Sequence, residues 1–140
     1  MNSHVSIIGL GVNDLKLSTL FYSTVFGWKP TEASNENITF FQLNGILLSL
    51  YPKDKLAEDA GVSSKGNGFN AFSLAHLLSS DKEVDQLFME LKKRGVDIVK
   101  NPEKAFWGGY SGYVADPDGN LWEIAFNPFV KMDSDGNLLG

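Results

Sequence analysis

The feature that most constrains this chain is that it reads twice through the same order of elements. In the first pass Ser6 to Val12 alternates, Ile8, Leu10 and Val12 pointing one way and Ile7, Gly9 and Gly11 the other, which predicts a strand with one well-filled face. Asp14 stands where a helix N-cap belongs, Leu15, Ser18, Phe21, Tyr22 and Val25 recur at helical spacing, and Gly27 stops the run. A short extended piece over Lys29 to Ala33 follows. Ile38 to Leu43 and Ile46 to Tyr51 then form a hairpin through Asn44-Gly45, two residues that suit the positive φ angles of a tight turn.

The second pass repeats this. A strand over Phe69 to Leu78 precedes Ser80, which has Glu83 at capping-box spacing and Val84, Leu87, Phe88 and Leu91 on one helical face before Gly95. Val96 to Val99 extends, and Tyr110 to Ala115 pairs with Asn120 to Phe126 through Asp116-Pro117-Asp118-Gly119. Each half is β-α-β-β-β, so the fold class is α+β with two tandem βαβββ modules. The modules span 4–52 and 68–128 of one domain, with a polar linker over 53–67 and a tail over 129–140.

Counting from the turns aligns the halves. Ser49 lies four positions after Gly45 and Glu123 four after Gly119, while Ile7 and Ser73 each lie seven before an N-cap. Alternation puts Ile46, Leu48, Leu50, Trp122, Ile124 and Phe126 under the helices and leaves Ser49 and Glu123 on the opposite face, with Gly9, Gly11, Ala75 and Ala125. Such small residues leave volume for a ligand or let two sheets approach closely; the residues alone fit both.

At 140 residues the chain buries roughly two-thirds of its unfolded surface, enough for a core. A net charge of -5 without a basic stripe argues against nucleic acid and anionic membranes as partners, leaving small neutral or cationic molecules. The absence of cysteine excludes disulfides, thiolate metal sites and a cysteine nucleophile. With no secretory n-region and no apolar run of membrane-spanning length, a cytoplasmic location is expected. No serine-hydrolase elbow or phosphate loop is present.

The duplicated order resembles the vicinal oxygen chelate superfamily of glyoxalase I, bleomycin-resistance proteins and extradiol dioxygenases. Three motifs carry the resemblance: Leu10-Gly-Val-Asn-Asp14, Phe21-Tyr22 in a helix ending Phe26-Gly27-Trp28, and Asp116-Pro-Asp-Gly-Asn-Leu-Trp-Glu123. The string Phe106-Trp-Gly-Gly-Tyr-Ser-Gly-Tyr113 is similar to an uncharacterised glyoxalase-like branch. The resemblance implies a curved mixed sheet around a cavity and a homodimer. In metal-dependent members four inward side chains hold a divalent ion, and the matching positions here are Ile7, Ser49, Ser73 and Glu123. Only Glu123 is a good ligand for a site that needs about three of His, Asp or Glu, so no metal or other cofactor is expected. His4 and His76 miss those positions; His76 falls under the second helix as a core imidazole, and only a one-residue slip of its strand would turn it inward beside Glu123.

Glu123 remains as a carboxylate facing a cavity flanked by apolar strands, suited either to general acid or base catalysis or to a structural hydrogen bond. Trp107, Tyr110 and Tyr113, set among glycines, make a wall for a planar or cationic ligand or a core or dimer contact. Ser49 and Ser73 complete the expected ligand-binding set, and Ser49 opposite Glu123 predicts that the two halves differ. The tail sequence Asp133-Ser-Asp-Gly-Asn137 lacks the spacing of a calcium loop and reads as a surface turn. Together these features predict a glyoxalase-like small-molecule-binding protein without a metal. The alternative is a lyase or isomerase of the lactoylglutathione-lyase type with Glu123 as general base.

Overall fold

The computed structural model describes residues 7–60, 63–66, 70, 73–106 and 108–139 and divides into two compact units, Met1–Gly68 and Phe69–Gly140. The first unit contains β1 (Ile7–Val12), α1 (Leu15–Thr24), β2 (Thr39–Gln42), β3 (Leu47–Pro52) and α2 (Lys53–Ala60). Its sheet has the order β1-β3-β2, with β1 parallel and β2 antiparallel to β3. Leu10, Val12, Phe41, Leu48 and Leu50 are buried on the face covered by α1, whose Tyr22 is also fully buried. Tyr22 stacks on Trp28 at 5.7 Å and meets Phe41 at 5.8 Å, so the helix end and the sheet share one aromatic cluster. Asp14 caps α1 by accepting from the Leu17 amide at 2.9 Å.

Two expectations for this unit are corrected. The extended piece over Lys29 to Ala33 reduces to one bridge between Pro30 and Phe41, because a proline donates nothing to continue a ladder. The polar stretch read as a linker begins with the helix α2, since Lys, Leu, Ala and Glu in Lys53–Ala60 are good helix formers. The helix seats Leu56 and the Lys53 backbone over Gly11, where a Cβ would lie 3.2 Å from Lys53 Cα.

The second unit contains β4 (Leu74–Leu78), α3 (Asp81–Lys93), β5 (Asp97–Lys104), β6 (Tyr110–Ala115), β7 (Leu121–Phe126), β8 (Lys131–Met132) and β9 (Leu138–Leu139). The larger sheet has the order β4-β7-β6-β5. Val84, Phe88 and Leu91 of α3 are buried with Val114, Trp122 and Ile124. Ser80 caps α3 by accepting from the Glu83 amide at 3.2 Å, and Glu83 reaches back to the Ser79 amide at 2.8 Å. The strand expected over Phe69 to Leu78 is present as Leu74–Leu78, and its early residues 69, 71 and 72 lie outside the described residues. β5, expected to stop at Val99, runs on to Lys104 as an edge strand with register shifts between Ile98 and Lys100 and between Lys100 and Glu103. A bulge on an edge is where Pro102 fits without a broken ladder.

The Asp116 turn and the tail turn are the same structure. Asp116 Oδ1 accepts from the amides of Asp118 at 2.9 Å and Asn120 at 2.8 Å, and Oδ2 accepts from Asn120 Nδ2 at 2.8 Å. Asp133 does the same with Asp135 and Asn137 at 2.9, 2.9 and 3.0 Å. Gly119 and Gly136 sit at φ 80° and 82°, a region that favours glycine. The tail is thus a second hairpin, β8-β9, with its aspartate turned onto its own backbone. No helix of the described residues is long and apolar enough to cross a membrane.

Candidate functional site

Cross-strand registry in the second unit builds two rows of side chains on the face opposite α3. Ala75, Glu123, Tyr113 and Lys100 are successive partners across β4, β7, β6 and β5. Ala125, Ser111 and Glu103 form the next row. In a regular strand, residues three apart face opposite sides. The irregularity between Lys100 and Glu103 adds one residue to β5, so both charges point to the same face, where Lys100 Nζ lies 2.8 Å from Glu103 Oε1.

These rows floor an open recess of about 440 Å³, with Ala105 and the fully exposed Phe106 at its rim. Tyr113 lies beside Glu123 across the β6–β7 pair, and its phenol is held above the ordinary 10.0 by desolvation first and then by that carboxylate. Lys100 is raised by Glu103 and, more weakly, by Glu123. Glu123 therefore stands among polar partners, which corrects the expectation of a lone carboxylate between apolar strands.

A pH prediction follows from Tyr113. Its folded-state value exceeds the unfolded one, so the stability it contributes is fully present below pH 10.0 and is lost as pH rises through the raised folded value. Urea unfolding on either side of that window should show the fall. In Glu123→Gln an absorbance titration should move Tyr113 part of the way back toward its ordinary value, since desolvation remains.

Of the residues expected at the site, Glu123 and Tyr113 come together in this recess. Tyr110 does not: its hydroxyl donates to Asp85 of α3 at 2.8 Å, on the helix side of the sheet. Three positions separate the two tyrosines within a regular stretch of β6, so they must face opposite ways. Ser73 precedes β4 and is exposed, and Ser49 is buried in the first unit, paired with Gly9 on the face away from α1. Trp107 and His4 lie outside the described residues. His76 pairs with Ile124 rather than with Glu123, so β4 has not slipped. It is exposed instead of being a core imidazole, and desolvation holds its pKa below the ordinary value. Lys100, Glu103, Ser111 and Phe106 were not foreseen as site residues; Pro102, a bulge signal within a strand, was the available clue to the first two.

The four positions that resemble a metal site do not fit a divalent ion. Ile7 offers no donor, Ser49 and Ser73 offer hydroxyls, and Glu123 alone offers a carboxylate. Among the described residues no group of three or more His, Cys, Asp or Glu could hold a metal ion.

The fold is shared with known proteins. Residues 3–124 match the family model for the Glyoxalase/Bleomycin resistance protein/Dioxygenase superfamily. A glyoxalase-related enzyme from Fulvimarina pelagi is 37% identical, with a TM-score of 0.88 and 99% of each chain covered. The metallothiol transferase FosB of Lysinibacillus sphaericus is 30% identical over 114 residues, 81% of this chain and 74% of that protein. The fosfomycin resistance protein FosX of Listeria monocytogenes is 26% identical with a TM-score of 0.70, covering 92% of this chain and 97% of its own.

Proposed function

Because the chain belongs to the glyoxalase/bleomycin resistance protein/dioxygenase superfamily, we propose that it binds a small organic molecule in the recess of its second unit, with no protein-held metal ion. The observation that carries this reading is the convergence of Lys100, Ser111, Tyr113 and Glu123 on one open concavity beside an exposed aromatic ring. Polar groups converging beside an aromatic wall are what a small-molecule site needs. The four positions that match the family's metal site support the absence of a metal: they hold one carboxylate, Glu123, and fall short of the three ligands a catalytic divalent ion requires.

Native mass spectrometry of protein purified without chelator, with elemental analysis of the same sample, tests this. The expected result is no stoichiometric transition metal, and an organic adduct would give the ligand's mass. Near-stoichiometric zinc, nickel, iron or manganese would overturn the reading. The same spectrum reports whether the chain forms the homodimer that its family resemblance implies.

A second reading, proton transfer by Glu123 as in a lyase or isomerase, is favoured by the placement of that carboxylate at the recess with the Tyr113 phenol beside it. Turnover of a glutathione hemithioacetal that disappears in Glu123→Gln, with affinity retained, would establish it over simple binding.

A further inference from the structure

We propose that the recess takes a ligand bearing a protonated amine on an aromatic or apolar body, and that Lys100 is an internal cation holding the amine's place between Glu103 and Glu123. The proposal rests on the reading of this recess as a ligand site. Its floor, formed by the two cross-strand rows, carries two carboxylates and one ammonium. Lys104, also at the recess, sits at the strand position paired with Tyr110, whose side chain goes to the helix side. Of the side chains that registry puts on the floor, two are negative and one is positive, in a chain whose net charge is -5.

The Lys100–Glu103 pair is weakly held. Side chains of both partners are at least half exposed, at 50% and 62%, and ion pairs so open to water contribute little. An incoming ammonium can therefore displace Lys100 into solvent on its flexible stem and take the contact with Glu103 while facing Glu123 across Tyr113. Ser111 points to the same ligand position independently. The residue is only 5% exposed and lines the recess, and its hydroxyl makes no hydrogen bond among the described residues. A hydroxyl at that position can accept from a ligand's ammonium on the recess side. Phe106, fully exposed at the rim, supplies a ring against which an apolar body or a cation rests.

The test is an NMR titration of the whole chain with benzylamine, benzoate and benzyl alcohol, three probes alike in shape and different in charge. Benzylamine should shift the amides of Ser111, Tyr113 and Glu123, and benzoate should not. Glu103→Gln should weaken benzylamine about tenfold, whereas Lys100→Gln, by removing the competing cation, should strengthen it about threefold. Both positions are exposed, so both variants keep the fold. Benzoate or benzyl alcohol shifting these amides in place of benzylamine would overturn the amine assignment and leave the recess as a binding site. No probe shifting them would overturn both. Benzylamine binding that is weaker in Lys100→Gln would overturn the stand-in role of Lys100.

Discussion

Gly112→Ala is expected to lower the unfolding free energy by about 3 kcal/mol, with a fall in melting temperature of about 10 °C by scanning calorimetry. A Cβ at this position would lie 2.6 Å from the Phe88 ring, 2.7 Å from the Lys100 carbonyl oxygen and 2.8 Å from Pro102 N. The ring can turn aside at some packing cost, but the two backbone atoms belong to the β5 bulge and move only if β5 leaves β6. The same variant should therefore release the Lys100–Glu103 pair from the recess, visible as changed amide shifts along β5. Gly66→Ala, where an added Cβ meets nothing within 4 Å, should leave stability unchanged.

The second large effect is expected from Asp116→Ala, at about 3 kcal/mol by urea unfolding. The carboxylate accepts from two amides and one side-chain amide, and both Asp116 and Asn120 are buried, so its loss strands donors away from water. The tail provides an internal control, since Asp133 makes the same three bonds at the surface. Asp133→Ala should cost far less, because water replaces every bond it loses. Asp133 is also held below its ordinary value, first by the Asn137 side chain, so the contribution of its turn is present at neutral pH and is lost as pH falls through that lowered value. Equal losses at the two positions would mean that burial is not what separates them.

The duplicated order was legible because period-two alternation and turn glycines fix register together. Gly45 and Gly119 both adopt positive φ, and four positions beyond them Ser49 and Glu123 pair with Gly9 and Ala75 of their units' first strands. The placement of His76 with Ile124 followed from the same alternation. What escaped reading was whatever departs from it. The β5 bulge breaks the count of two, so Lys100 and Glu103 could not be assigned a common face from spacing. Tyr110 and Tyr113 were grouped as one aromatic wall although their odd separation in β6 already divides them. Helix α2 escaped because its polarity resembles that of a linker, and only its contact with Gly11 shows what it covers. Gly112 lay within the glycine-rich aromatic run, and the backbone that approaches it is β5.

The β5 irregularity has a consequence for how such a site changes over generations. Between Lys100 and Glu103 the strand carries one residue more than its partner, against Tyr113 and Ser111. A lineage that lost that residue would bring the two charges to ordinary alternate positions, still facing the same side, and would relieve the backbone share of the crowding at position 112, leaving the Phe88 ring to turn aside. Deletion in one strand and substitution in its neighbour are thus coupled, each tolerated in the background of the other.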